Sequence, residues 1–169
     1  MTPPDVLLVW DHVQDAGVTA WVDGGWGVDA LLGEQTRDHD DLDLVLDRTA
    51  LEQVVGWLED DGFVVERDLR PTALALRHPD GRGVDLHPVR LTEDGGGDQQ
   101  VSDTEWFHYP PPVTGTVDGR PVKCCSVETQ VAIHLGYPPD DDDHADMQRL
   151  AERFGLTLPP PYDVPISRT

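Results

Sequence analysis

Basic side chains are scarce in this chain of 169 residues. Twelve lysines and arginines, only one of them a lysine (Lys123), stand against 33 aspartates and glutamates, for a formal net charge of −21. Such a surface repels a phosphodiester backbone, so a nucleic-acid-binding role is disfavoured. Cysteine is scarcer still, with Cys124 and Cys125 the only two. Adjacent cysteines rarely meet disulfide geometry, and no second pair stands at metal-ligand spacing, so both read as reduced thiols at a strand end. No run of 18 apolar residues occurs, which excludes a membrane-spanning helix. The first residues, MTPPDVLLVWDHV, carry an acid where a secretion signal carries positive charge, so a cytoplasmic location is expected. Hydrophobic residues make up 38% of the chain, modest but adequate for one core. A chain of this length buries roughly 70% of its unfolded surface, so a single domain needs no disulfide framework.

What is present is a sequence of short periodic segments. Apolar residues at helical spacing over 4–16, closed by Gly17, predict a first helix. A short strand follows over 20–23, a helix over 25–32 stopped by Gly33, and a polar loop over 34–40. A strand over 42–46 leads into a helix over 48–60, stopped by Gly62. Strands are predicted over 63–66, 73–77 and 83–88, the last two joined by Pro79-Asp80-Gly81, a hairpin signal. Residues 93–100, EDGGGDQQ, read as a flexible loop on composition. A second hairpin pairs 113–117 with 121–125 about Asp118-Gly119. Ser126 can cap a helix over 127–135 with Glu128 in its first turn, and a last helix is predicted over 143–154. The expected architecture is α+β: a mixed central sheet with helices on one side, spanning 1–158, with C-terminal helices over about 126–155 packed on it. The proline-rich stretch 159–169 is expected to form an irregular tail.

The most informative stretch is WVDGGWGVDALLGEQTRDHDDLDLVL, residues 21–46. Side chains two apart on a strand share a face, so Asp41 and Asp43 project together while Leu42, Leu44 and Leu46 point into the core. Two carboxylates so close repel unless a cation lies between them, and Mg²⁺, which takes carboxylate oxygens together with substrate phosphates, is the natural candidate. Asp85, set in an apolar alternation, is the best third carboxylate, either as a further metal ligand or as the base that takes a hydroxyl proton. Gly24 and Gly25 precede a helix whose N-terminal amides suit a phosphate. Arg37 and His39 are placed to reach the same anion, as is Lys123 if the second hairpin folds over the site. The acidic run at 140–143 reads as a solvated helix start, and neither it nor Asp41 has the offsets of a calcium loop. A competing pattern exists: residues 25–30 match G-x-G-x-x-A, with Asp47 near the end of the next strand, the fingerprint of a dinucleotide-binding oxidoreductase. A helix of barely two turns and the unexplained Asp-x-Asp weigh against it.

The combination GGW-x-x-D at 24–29, R-x-H-x-D-x-D at 37–43, VDLHP at 84–88 and HLGYPP at 134–139, followed by His144-Ala145-Asp146, resembles the small antibiotic nucleotidyltransferases. These are the aminoglycoside 2''-adenylyltransferase-like and lincosamide nucleotidyltransferases of the DNA polymerase β-type superfamily, and the resemblance runs from about residue 5 to 155. It implies the nucleotidyltransferase fold, with Mg²⁺ bound by Asp41, Asp43 and Asp85, and Asp85 as the base. ATP or another nucleoside triphosphate would be held near Gly24, Gly25, Trp26, Arg37, His39 and Lys123. A small hydroxylated antibiotic would receive the nucleoside monophosphate. On charge alone an aminoglycoside is preferred to a lincosamide, since an acidic rim draws a polycation. The chain departs from this family where relatives carry basic residues and it carries Asp140–Asp143. A non-catalytic binding module of the antitoxin kind is the alternative from another class. The sequence leaves the oligomeric state, a homodimer included, open.

Overall fold

The computed structural model describes residues 1–163. Its elements run α1 (Pro3–Asp15), β1 (Ala20–Asp23), α2 (Gly24–Leu32), β2 (Asp41–Asp47), a 3₁₀ turn (Arg48–Ala50), α3 (Leu51–Asp60), β3 (Val64–Leu69), β4 (Ala73–Arg77), β5 (Gly83–Leu91), β6 (Gly97–Gln100), β7 (Trp106–Tyr109), β8 (Val113–Val117), β9 (Arg120–Cys124), α4 (Val127–His134) and α5 (Asp141–Phe154). The nine strands form one mixed sheet ordered β3-β4-β5-β2-β1-β9-β8, with β6 and β7 extending from the far end of β5. Pairing is parallel for β2 with β5 and for β1 with β9, and antiparallel elsewhere. Among the described residues no helix is long and apolar enough to cross a membrane.

One face of the sheet carries the main core. Leu42, Leu44 and Leu46 of β2, with Leu74, Leu76, Val84 and Leu86 of its neighbours, pack against α1, α2 and α3. Helix α1 starts with Pro3 behind a Thr2–Asp5 capping box and buries Val6, Val9, Trp10 and Val13, the i, i+3, i+4, i+7 stripe of an amphipathic helix. Ser126 caps α4 as its sequence suggests, accepting from the Thr129 amide at 3.2 Å. Asp140 and Asp143 form a capping box that opens α5, so the acidic run sits where the helix dipole favours negative charge. The Asp118-Gly119 hairpin forms with φ of 48° and 73°, the two left-handed positions that the favoured two-residue turn requires.

Two segments differ from the sequence reading. Residues 93–100 are not all loop, because 97–100 form β6. Gly97 has no side chain to hold off Val89 and Trp21, and Gln99 turns inward between β5 and β7, so β5 supplies the pairing that composition hides. Strand β7, of aromatic and β-forming residues, matches no element that the sequence pattern predicts. The stretch 159–163 has no helix or strand and is tied to the helices before it. Tyr162 is fully buried, its hydroxyl donates to the His134 carbonyl at 2.9 Å, and its own carbonyl accepts from Gln148 at 2.8 Å. The rest of the expected irregular tail, 164–169, lies outside the described residues.

Candidate active site

The opposite face of the sheet carries the acids. Antiparallel pairing sets Asp23 of β1 beside Asp43 of β2, and parallel pairing sets Asp43 beside Asp85 of β5, so three carboxylates form a row across three neighbouring strands. Asp41 lies one step along β2 on the same face, opposite Gly83. The absence of a side chain at Gly83 has a use: a Cβ there would come within 2.2 Å of the Arg77 guanidinium and 2.9 Å of Asp41, so glycine lets Arg77 of β4 reach over β5 toward Asp41. From the edge strand β3, Arg67 approaches Asp85 at 3.8 Å. Asp41 and Asp85, with Glu66, Arg67, Ala75 and Arg77, line one open cleft.

These acids are charged at a cost. Burial, followed by the charges of Asp43 and Asp41, pushes the Asp85 carboxyl up to about 6. Asp41 is raised for the same reasons, burial first and Asp43 second. Asp23, almost wholly buried, is raised mainly by burial, and its Oδ1 has no hydrogen-bond partner. Asp85 Oδ1 is likewise buried and unpartnered. For His87 burial acts downward, but the hydrogen bond and charge of Asp43 outweigh it and raise the imidazole. Unpartnered carboxylate oxygens and mutually repelling acids are the situation that a hard divalent cation relieves, so the donor set fits one. Among the described residues no three His, Cys, Asp or Glu side chains are already gathered as a metal site.

The glycine turn abuts this row. Gly24 has φ +57°, and a Cβ on it would lie 2.1 Å from Asp43 Oδ2, so both the backbone and the contact demand glycine. Helix α2 opens here with no side-chain cap from its N-cap residue Asp23. A Cβ on Gly25 would sit 2.6 Å from Arg37 Nη2 and 2.5 Å from His39 Nδ1, so both side chains lie across the start of the helix.

The remaining residues singled out in the sequence divide. Arg37 is at the turn, but held there by α5: Asp146, itself 1% exposed, accepts from Nε and Nη2 at 3.1 and 3.0 Å, and Asp142 lies 3.6 Å from Nη1. The acidic run at 140–143 therefore faces an arginine through Asp142. His39 is buried, its ring tilted 44° against Trp26 at 4.7 Å, with Nε2 2.5 Å from Asp29 Oδ2. Asp29 also accepts from the Thr36 amide and hydroxyl at 3.1 and 2.7 Å. His39, Asp29 and Trp26 thus form a latch that holds the loop ahead of β2, and Trp26 belongs to the core. Lys123 does not arch over the site, since its hairpin continues the sheet and its Nζ donates to Thr114 on the edge strand β8 at 3.1 Å. Sequence reasoning passed over Asp23, Arg67, Arg77 and His87. Alternation within VDLHP was the one available signal, since it puts His87 on the face of Asp85.

The dinucleotide fingerprint fails on topology. Its strands β1 and β2 pair antiparallel, whereas that motif needs a crossover helix between parallel strands.

Residues 5–150 match the aminoglycoside-2''-adenylyltransferase family. The chain belongs to that family. Among its relatives, a lincosamide resistance protein of Staphylococcus haemolyticus is 34% identical over 157 residues, covering 89% of this chain and 94% of the relative. A 2''-aminoglycoside nucleotidyltransferase of Escherichia coli is 31% identical over 140 residues, covering 78% and 75%. In structure, the lincosamide antibiotic adenylyltransferase LnuA in its lincomycin-bound form superposes with a TM-score of 0.81 at 32% identity, over 89% of this chain and 96% of that one. ANT(2'')-Ia in complex with adenylyl-2''-tobramycin shares the fold with a TM-score of 0.71 at 20% identity, over 90% and 89%. The aminoglycoside-2''-adenylyltransferase family member described here is thus an enzyme of the nucleotidyltransferase class, with the α+β nucleotidyltransferase fold that its motifs suggest.

Proposed function

We propose that the protein transfers a nucleoside monophosphate, AMP from ATP in the first instance, to a hydroxyl of a small antibiotic with the help of Mg²⁺. The observation that carries this reading is the register that sets Asp43 beside Asp85, with Asp41 on the same face and the Gly24 turn against Asp43. Asp41, Asp43 and Asp85 would hold the cation, whose all-oxygen donors favour Mg²⁺ over softer metals. When bound, such an ion neutralises phosphate charge and polarises the phosphoryl oxygen. The N-terminal amides of α2 and the guanidinium of Arg37 bind the phosphates on the other side of the turn. Asp85, in the same acid row, would accept the proton of the acceptor hydroxyl. No covalent intermediate with the protein is needed, because holding the two reactants in line supplies much of the rate.

Similarity supports a lincosamide as the acceptor, given the greater identity to the lincosamide resistance protein and the 0.81 TM-score to lincomycin-bound LnuA. An aminoglycoside is the second reading, favoured by the net charge of −21, which attracts a polycation. Incubation with each nucleoside triphosphate, Mg²⁺ and a panel of both antibiotic classes tests the proposal. Pyrophosphate release is expected, with mass spectrometry identifying the acceptor that gains a nucleotide, and Asp43→Ala should abolish it. Silence across every nucleotide and acceptor would refute it.

A further inference from the structure

The β6–β7 hairpin brings a buried amide and a buried phenol beneath the carboxylate row. Gln99 is 5% exposed, and its Nε2 donates to the Thr72 carbonyl at 2.9 Å. The same Nε2 stands 3.4 Å from Nδ1 of His87, and Gln99 Oε1 accepts from the Tyr109 hydroxyl at 3.4 Å. The other ring nitrogen of His87, Nε2, lies 2.9 Å from Asp43 Oδ1. A ring nitrogen at that distance from a carboxylate carries the proton and donates. In the neutral ring Nδ1 is then an acceptor, the complement of the amide donor that Gln99 presents, so both contacts specify one tautomer. On its other side Asp43 packs Oδ2 against Gly24. The carboxylate is therefore clasped between an imidazole and a glycine, while Asp85 Oδ1 beside it has no partner at all.

We propose that His87 is a positioning residue for Asp43, its Nε2–H holding the carboxylate in the orientation the cation site uses, with Gln99 fixing the ring. The role rests on the transferase reading above. A ligating carboxylate left to rotate must be ordered when the cation arrives, and outer partners of this kind are typically worth roughly 10–100-fold in metal affinity or activity. The hairpin also gains a purpose: Gln99 and Tyr109, distant in sequence from every acid in the row, set the direction of one of them.

Two measurements test it. In the metal-free chain, at alkaline pH where the ring is neutral, long-range ¹H–¹⁵N spectroscopy of the histidines (the His87 signals assigned by their loss in His87→Gln) should place the proton on Nε2. A proton on Nδ1 overturns the proposal whether or not the chain transfers anything. In the second, Mn²⁺ binding is followed by electron paramagnetic resonance and kcat by pyrophosphate release, with melting curves recorded for each variant. His87→Leu should weaken Mn²⁺ binding and lower kcat by roughly 10–100-fold, and His87→Gln, whose amide can still donate, should recover most of both. If His87→Leu does not fold, Gln99→Met keeps the imidazole but frees it, and a smaller loss in the same direction is expected. Wild-type affinity in a folded His87→Leu or in Gln99→Met overturns the positioning role alone. A wild-type chain that takes up no Mn²⁺ overturns the transferase reading and this role with it.

Discussion

Asp85→Asn should make this protein more stable and inactive at once. Asp85 titrates at about 6 against 3.8 for a free aspartate, so its ionised form is disfavoured in the folded chain. The gap is about two pH units, and at about 1.4 kcal/mol per unit it amounts to roughly 3 kcal/mol of destabilisation once the group is fully ionised. The side chain keeps 19% exposure and has Arg67 3.8 Å away. The attraction of that arginine is already part of the value, and solvent screening reduces the net cost to about 1–2 kcal/mol. The sign follows from proton counting. Between pH 3.8 and about 6 the folded state holds a proton that the unfolded state has released, so stability falls as pH rises through that window and the full penalty stands above it. Asparagine keeps the shape without the charge. The variant should melt about 2–8 °C above wild type at pH 8, and the advantage should shrink to a small remnant by pH 4. Differential scanning calorimetry of both proteins without divalent cation, in steps from pH 4 to pH 8, makes the measurement. Added Mg²⁺ should narrow the gap at pH 8 by stabilising wild type more than the variant. An Asn variant that melts at or below wild type at pH 8, or an advantage independent of pH, would refute the view that Asp85 is held ionised against its surroundings.

Two further outcomes follow from the same site. Gly24→Ala places a methyl 2.1 Å from Asp43 Oδ2 at a φ of +57°, so it should cost about 1–3 kcal/mol in chemical denaturation and remove transfer activity even where the variant folds. Asp29→Ala strips three hydrogen bonds from a residue 2% exposed and leaves His39 and Thr36 without their acceptor. Its expected loss is about 3–5 kcal/mol in urea unfolding, together with a raised KM for nucleotide as the loop bearing Arg37 slackens. Unchanged stability would show that the latch is not a structural element.

Much of the candidate site was legible because it is local. Asp41 and Asp43 share a face by strand alternation alone, and the pairing of a Gly-Gly turn with an Asp-x-Asp strand within 20 residues needs no long-range knowledge. The helices announced themselves through caps and stripes, as at Thr2, Ser126 and the acidic start of α5. What stayed hidden was non-local. Gly97–Gln100 has the composition of a loop and becomes a strand only because β5 offers its edge. Lys123 looked available, yet β9 lies in the sheet and Thr114 engages the ammonium. His39 looked like an anion ligand, and its Nε2 is taken by Asp29, ten residues earlier.

Alternation, turn chemistry and charge, all readable along the chain, determined that this protein has a glycine turn ahead of paired acids on a mixed sheet, together with a strongly negative surface. Which residues meet across strands was decided only by the tertiary structure: Asp43 between Asp23 and Asp85, Arg77 over Gly83, and Gln99 against His87. The physical reason is that a side chain's face follows from its own strand, while its neighbours follow from the register between strands. Register is set by burying Leu42, Leu44 and Leu46 against helices that the chain reaches only after folding.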